Sequence, residues 1–317
     1  MKISIICPIY NAENYIEDLY FNINRQKDVY IEEINFILTE SKDNTEDKLK
    51  KIGCTYEKIN KEKFSHSLVR EKAAFNAKGD IIVFITQDIK IEDEYWLYYL
   101  TKDIKEKRCE AAFSRQIGYK EHKVERYTRE INYPDETRIV SKDDIEKLGL
   151  MTFFFSDASS AILKDVFIKL NGYDNKDLPT NEDMYFAYKL IMNGYRIEYA
   201  SKSKIIHSHD LSFNETVKRY SDIGKFFDQN KYFNEYSANE RGLKVLKYII
   251  KRSIEDKKPL IIMDAIINFG ARFIGMKFVK NRKWGVWYEG NNFSWWVWNK
   301  TLSSNKGNVK ANGANIW

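Results

Sequence analysis

Cysteine is scarce in this chain, and the few residues present form no pattern. Cys7, Cys54 and Cys109 stand far apart, with no C-x-x-C pair. That spacing argues against a disulfide framework or a zinc site and suits a reducing compartment. Glycine-rich phosphate signatures are missing too, since neither G-x-G-x-x-G nor G-K-[ST] occurs. A dinucleotide fold and a P-loop are therefore not expected. No apolar run is long enough to predict a membrane span. The opening MKISIICPIY has too short an apolar run for a secretion signal, and Pro8 breaks it. Charge is only mildly unbalanced, at +6 over 317 residues. This suits anionic small molecules or an acidic membrane surface and gives no reason to invoke nucleic acid.

What is present is an alternation of apolar runs and amphipathic stretches. Ile81 to Ile85 is short, β-branched and almost wholly apolar, which predicts a central strand buried on both faces. Lys2 to Cys7, Glu33 to Leu38 and Cys54 to Ile59 read as further strands. Helices are expected between them, from about Glu13 to Arg25, ending near Gly53, and from His66 to Ala77 behind a Ser65 cap. Strands alternating with helices indicate an α/β fold with an open, mostly parallel sheet. In such a sheet, ligands bind beyond the carboxyl ends of the strands. Three strand ends then converge: Pro8 to Asn11, Thr39 to Asp43, and Thr86 to Asp88. Asp88 is placed to hold a divalent cation against a phosphate.

Further on, a helix is expected from Glu94 to Lys105 and a strand from Glu110 to Ile117. Trp96 reads equally as core or ligand contact. Residues 118–150 are charged and poor in strand signals, with a helix start of capping-box type at Ser141. They are expected to form a solvated surface or an insertion over the acceptor side. Met151 to Leu163 reads as strand, polar break and strand, with Asp157 and Ser159 exposed in the break. A helix begins at Asn181-Glu182-Asp183. Two short strands, Arg196 to Tyr199 and Lys204 to Ile206, end at His207-Ser208-His209. Asn214 to Gln229, Gly242 to Ile254 and Leu260 to Val279 follow as helices.

The succession PIYN, TESKDNT and the TQD strand end resembles family 2 glycosyltransferases of the GT-A fold. FSHSLVREKAAFNAKGDIIVFITQDIKIEDEYW is similar to that family's rhamnosyltransferase branch. Two departures stand out. Thr39 takes the place of the first Asp of the family's D-x-S-x-D-x-T turn, and Thr86-Gln87-Asp88 replaces its D-x-D. The resemblance spans roughly residues 3–227. It implies an inverting, metal-dependent transferase using a nucleotide-sugar donor, with dTDP-L-rhamnose the first expectation. Pro8, Tyr10, Asn11 and Glu40 hold base and ribose; Thr86, Gln87, His66 and Arg70 complete the nucleotide-sugar pocket. His66 and Arg70 lie four residues apart on one helix face. Asp88 with His207 or His209 holds Mn²⁺ or Mg²⁺. Asp157 and Ser159 belong to the donor–acceptor loop. Asp183 is the catalytic base, with Glu182 as helper.

The resulting expectation is a transferase domain at 1–230, a helical and aromatic-rich C-terminal extension at 231–300, and a flexible tail at 301–317. The acceptor is a saccharide, free or lipid-linked. Cytoplasmic residence follows, with an anionic membrane surface as a candidate partner through Lys244, Lys247 and Lys251 and the tryptophans between Trp284 and Trp298. The rival readings are a UDP-hexose donor, or a glycan-binding protein on a decayed transferase fold.

Overall fold

The computed structural model describes residues 1–236 and 241–280. The Trp-rich stretch after Trp284 and the tail after Thr301 lie outside the described residues.

The first half alternates as its apolar pattern demands. β1 (Ile3–Ile9), α1 (Ile16–Asn24), β2 (Ile31–Thr39), α2 (Thr45–Lys51), β3 (Tyr56–Ile59), α3 (His66–Asn76) and β4 (Ile81–Ile85) follow one another. Every residue of β4 is buried. Side chains alternate along a strand, so β1 and β4 feed two cores. Ile3, Ile5, Cys7, Ile81, Val83 and Ile85 pack on one face, while Ile6, Ile82 and Phe84 pack on the other. Truncating a fully buried ring such as Phe84 costs ~3–5 kcal/mol. Ser65 caps α3, accepting from the Leu68 N–H. The loop after α3 then passes so close to β1 that a Cβ on Gly79 would lie 2.6 Å from the Ser4 nitrogen.

The second half departs further from local pattern. α4 (Trp96–Lys105) and β5 (Ala111–Ile117) come first. Residues 118–150 contain α5 (Lys123–Asn132), β6 (Arg138–Val140) and α6 (Ile145–Leu148). The strand expected at Met151 is instead a 3-10 turn over Gly149–Phe153. β7 (Ser159–Leu163), α7 (Lys164–Lys169), α8 (Glu182–Met192) and β8 (Ile197–Ile206) complete the sheet. The two short strands expected after Arg196 are one strand: Ser114 pairs with Ala200 and Arg115 with Lys204, leaving Ser201–Ser203 looped out. The order is β3-β2-β1-β4-β7-β5-β8-β6. β7 runs antiparallel between β4 and β5, and β6 is an antiparallel edge on β8. The remaining pairs are parallel.

α9 (Phe213–Gln229), α10 (Arg241–Glu255) and α11 (Leu260–Lys280) close the described chain. A capping box between Ser212 and Glu215 starts α9. α11 packs along α9 so closely that a Cβ on Gly275 would lie 2.5 Å from the Val217 carbonyl oxygen. α10 and α11 also bury Val245, Ile249, Ile261 and Ala265 against Tyr127 of α5.

Candidate active site

The ends of β1 and β4 open into a cleft of about 940 Å³. Pro8, Tyr10, His66, Arg70, Thr86, Gln87, Asp88, Asp157, Glu182, Asp183, His207 and His209 all line it. Gln87 ties the two strand ends together. Its Oε1 accepts from the Tyr10 N–H at 2.7 Å, and its NH₂ donates to the Tyr10 carbonyl at 2.9 Å. Tyr10 presents its ring beside Lys61, whose ammonium lies 5.1 Å from the ring centroid and donates to the phenol oxygen at 3.2 Å.

Three expected residues do not line the cleft. Asn11 is spent on the loop after β2: it adopts φ 46° and accepts from the Lys42 N–H through Oδ1. Glu40 is exposed, and its N–H donates to the Ile59 carbonyl. Ser159 was expected to be exposed, but it is buried because its hydroxyl completes a core network. It accepts from the Trp96 indole N–H at 3.1 Å and shares a 2.6 Å hydrogen bond with Ser114. Trp96 is thereby core. Asp157 is buried as well; it accepts from Ser160 at 2.6 Å and from the Tyr173 hydroxyl at 2.8 Å.

Asp88, His207 and His209 form one cluster, with ligand atoms all within 4.8 Å of one another. Asp88 Oδ2 stands 3.5 Å from His207 Nε2 and 3.6 Å from His209 Nδ1. Burial acts to raise the Asp88 carboxyl; a proton on the facing His207 nitrogen, and then charge on His209, would outweigh it and hold the group below the ordinary carboxylate range, so the cluster favours a positive charge, whether proton or cation. Burial, and then the neighbouring His207, push His209 down to about 4. Gln116 Nε2 donates to Ser156, which turns its Oε1 toward His207 Nδ1 at 3.0 Å. With the proton on Nδ1, Nε2 carries the lone pair. That Nε2, and the Thr86 hydroxyl, are buried without a hydrogen-bond partner. One carboxylate, two imidazoles and an orphaned nitrogen fit a divalent cation of the Mn²⁺ or Mg²⁺ kind.

In the second cluster one guanidinium stands among three carboxylates, Asp157, Glu182 and Asp183, and pairs with one of them. Arg70 is buried and donates to Glu182 Oε1 at 2.8 Å, so it is not free at the mouth as the helix spacing suggested. Glu182 is likewise buried. Asp183 is half-buried and accepts the Met184 N–H at 2.7 Å, with the Asp157 N–H at 3.4 Å from its other oxygen. Burial, then the charges of Glu182 and Asp157, hold the Asp183 carboxyl well above its usual range. A positioned carboxylate with raised proton affinity is chemically a general base. Gln116, Ser156, Arg129, Tyr133 and Arg219 also line the cleft and were not singled out by sequence. A Gln within the apolar run of β5 was the available signal for the first.

The chain matches the family model described as "Glycosyl transferase family 2" over residues 4–170. It is 30% identical over 288 residues to the O-antigen chain rhamnosyltransferase RfbN of Salmonella typhimurium, covering 89% of this chain and 90% of that protein. It is 29% identical over 286 residues to the O-antigen chain rhamnosyltransferase WbaN of Salmonella anatum, covering 88% and 89%. Among solved structures, the mannosyltransferase PcManGT from Pyrobaculum calidifontis, in complex with GDP-Man and Mn²⁺, superposes with a TM-score of 0.52 at 15% identity, covering 90% of this chain and 76% of that one. S. aureus TarS gives 0.51 at 16% identity; the match covers 91% of this chain and 56% of TarS. These likenesses show the GT-A fold.

Proposed function

We propose that this chain, which belongs to glycosyl transferase family 2 and is a glycosyltransferase, moves L-rhamnose from dTDP-L-rhamnose onto a growing, lipid-linked surface polysaccharide. The observation that carries the reading is the division of labour at the start of α8. Glu182 is held by Arg70, which leaves Asp183, fixed by backbone N–H groups at the cleft wall, to act as base. Asp183 takes the proton of the acceptor hydroxyl as that oxygen attacks the anomeric carbon. The bond from that carbon to the diphosphate oxygen breaks on the opposite side, so the configuration inverts. Asp88, His207 and His209 would hold a divalent cation, which would supply charge neutralisation to the departing diphosphate. Tyr10, clamped through its backbone by Gln87, offers its ring to the nucleotide base.

The rhamnose assignment rests on the two O-antigen chain rhamnosyltransferases. A donor panel tests it: dTDP-L-rhamnose, UDP-hexoses and GDP-mannose, each with Mn²⁺ and with Mg²⁺, scored for sugar release and transfer. Preference for a UDP-hexose replaces the donor, and no turnover with any donor revives the glycan-binding alternative.

For the membrane, α11 exposes Leu260, Met263, Ile266, Ile267 and Phe273. Lys244, Lys247 and Lys251 are exposed on α10. Exposed apolar side chains on one helix and lysines on the preceding one suit an anionic bilayer surface, at about 1 kcal/mol per basic residue. No helix among the described residues is long and apolar enough to cross a membrane. Co-sedimentation with phosphatidylglycerol vesicles at low salt, lost in Met263→Glu/Phe273→Glu, is the expected result.

A further inference from the structure

A second cavity, of about 480 Å³, lies between α5, α9 and α11. It shares Arg129, His209, Leu211, Arg219 and Ile223 with the walls of the active-site cleft. The two spaces are therefore neighbours that meet at His209, next to the Asp88 cluster. Apart from His209, no residue given a role in the transfer lines this groove.

Its chemistry selects among ligands. Four basic side chains line it: Lys123, Arg129, Arg219 and Arg272. Four carboxylates oppose them: Glu121, Glu125, Asp210 and Asp264. Several of these charges face each other directly, with Arg272 on Glu125 at 2.8 Å and Lys123 near Asp264 at 3.7 Å. A diphosphate or another anion calls for a surplus of positive charge, and here the charge cancels. Donors are nevertheless spare. The Arg129 Nε is buried without a partner. Asn132 and Asn268 each use Oδ1 to accept from an arginine, Arg241 and Arg272 respectively, so their NH₂ groups remain available as donors. Glu121 is exposed and can accept. Tyr220 and Phe213 add aromatic faces. A neutral ligand rich in hydroxyls, with apolar faces between them, satisfies this mixture of donors, acceptors and rings.

We propose that the groove between α5, α9 and α11 is an extended acceptor subsite, holding the saccharide units that lie behind the sugar being glycosylated. The inference rests on the transferase reading given above. Its consequence is that the enzyme reads the length of its acceptor. The groove also borders Ile267, a member of the exposed apolar row on α11, so the far end of a bound chain emerges on the side proposed to meet lipid.

The test is a length series. Saccharide fragments of graded size, prepared by partial acid hydrolysis of the source cell's surface polysaccharide and sharing one non-reducing terminus, serve as acceptors with saturating donor. Two variants probe the groove: Glu121→Ala removes an acceptor, and Ile267→Trp fills space. Both side chains are exposed, so the fold tolerates the changes. In the unaltered enzyme kcat/KM should climb with fragment length. In each variant the ratio of kcat/KM for long over short fragments should fall by about fivefold to tenfold, through KM. A flat length dependence with active enzyme overturns the subsite alone. Equal proportional losses on short and long fragments in both variants also overturn it. Absence of transfer to every fragment, with no sugar release from donor, overturns the transferase reading and this inference together.

Discussion

Asp88 faces two imidazoles, whereas Glu182 is paired with a guanidinium. Both carboxylates line the same cleft, and both are largely shielded from water. In the first cluster the partners are lone-pair donors, so the carboxylate and the His207 Nε2 converge on a position that a cation can occupy. In the second the partner is itself a fixed cation, and the charge of Glu182 is answered within the protein. The comparison teaches that proximity to the cleft does not decide a carboxylate's role; what decides it is the partner it already has. Asp183, next in sequence to Glu182, has only N–H groups as partners and keeps its basicity for a substrate.

This contrast can be broken by four substitutions of decreasing effect. Asp88→Ala should lower transfer by about 10⁴-fold, equivalent to several kcal/mol of leaving-group stabilisation, and should abolish Mn²⁺-dependent nucleotide binding while the thermal melt stays cooperative. Near-normal turnover would remove Asp88 from the cation site.

Asp183→Asn should cost about 10³-fold in kcat with donor affinity retained. Its effect on stability has the opposite sign. The folded-state pKa of Asp183 is raised, so the folded chain binds a proton that the unfolded chain has already released. Stability therefore falls as pH rises from the ordinary carboxylate value through the folded one. The asparagine lacks that penalty and should melt at least as high as the parent at neutral pH, with the gap closing in acid. A lower melt at neutral pH would show that the carboxylate is not strained there.

Gln116→Ala removes the side-chain oxygen that faces His207 Nδ1. Mn²⁺ affinity, measured by calorimetry with the nucleoside diphosphate present, should drop by ~10–100-fold. Glu182→Gln should change transfer least, by less than about tenfold, but it removes the charge-assisted bond to buried Arg70, which Asp157 and Asp183 still face. A loss of ~3 kcal/mol in unfolding free energy is expected. If Glu182→Gln proves catalytically worse than Asp183→Asn, the base is Glu182.

Local signals carried the first half of the fold. The apolar runs at Ile3 and Ile81 lie in buried strands, the one at Ile34 in a strand buried from Phe36 on, and the Ser65 cap starts α3 as expected. Local signals failed where long-range pairing decides. Nothing in Ser159–Leu163 announces that it inserts antiparallel between β4 and β5. Nothing in Arg138–Val140 marks a strand, since its pairing with distant β8 makes it one. The site shows the same division. Resemblance drew attention to His207, His209 and Asp183, and the fold brings them into one cleft. The partner of Arg70 stood 112 residues away, beyond the reach of any helix-face argument. Ser159 was read as exposed because a polar residue in an apolar stretch suggests a break, whereas three buried hydroxyls and an indole satisfy one another there.

The near backbone contact at Gly275 bears on how the molecule can move. Where two helices meet with no side chain between them, they cannot slide or roll without opening a void, and packed interiors resist voids. α9 and α11 therefore behave as one mechanical piece. α5 is bound to that piece by different means: an ion pair across the gap from Lys123 to Asp264, the Arg272–Glu125 pair, and the small apolar cluster around Tyr127. The exposed Lys123–Asp264 pair is cheap to open, whereas the mostly shielded Arg272–Glu125 pair is the firmer tie. Breathing at the Lys123 end of α5 is thus the low-energy deformation of this region, and it changes the width of the groove that His209 also lines.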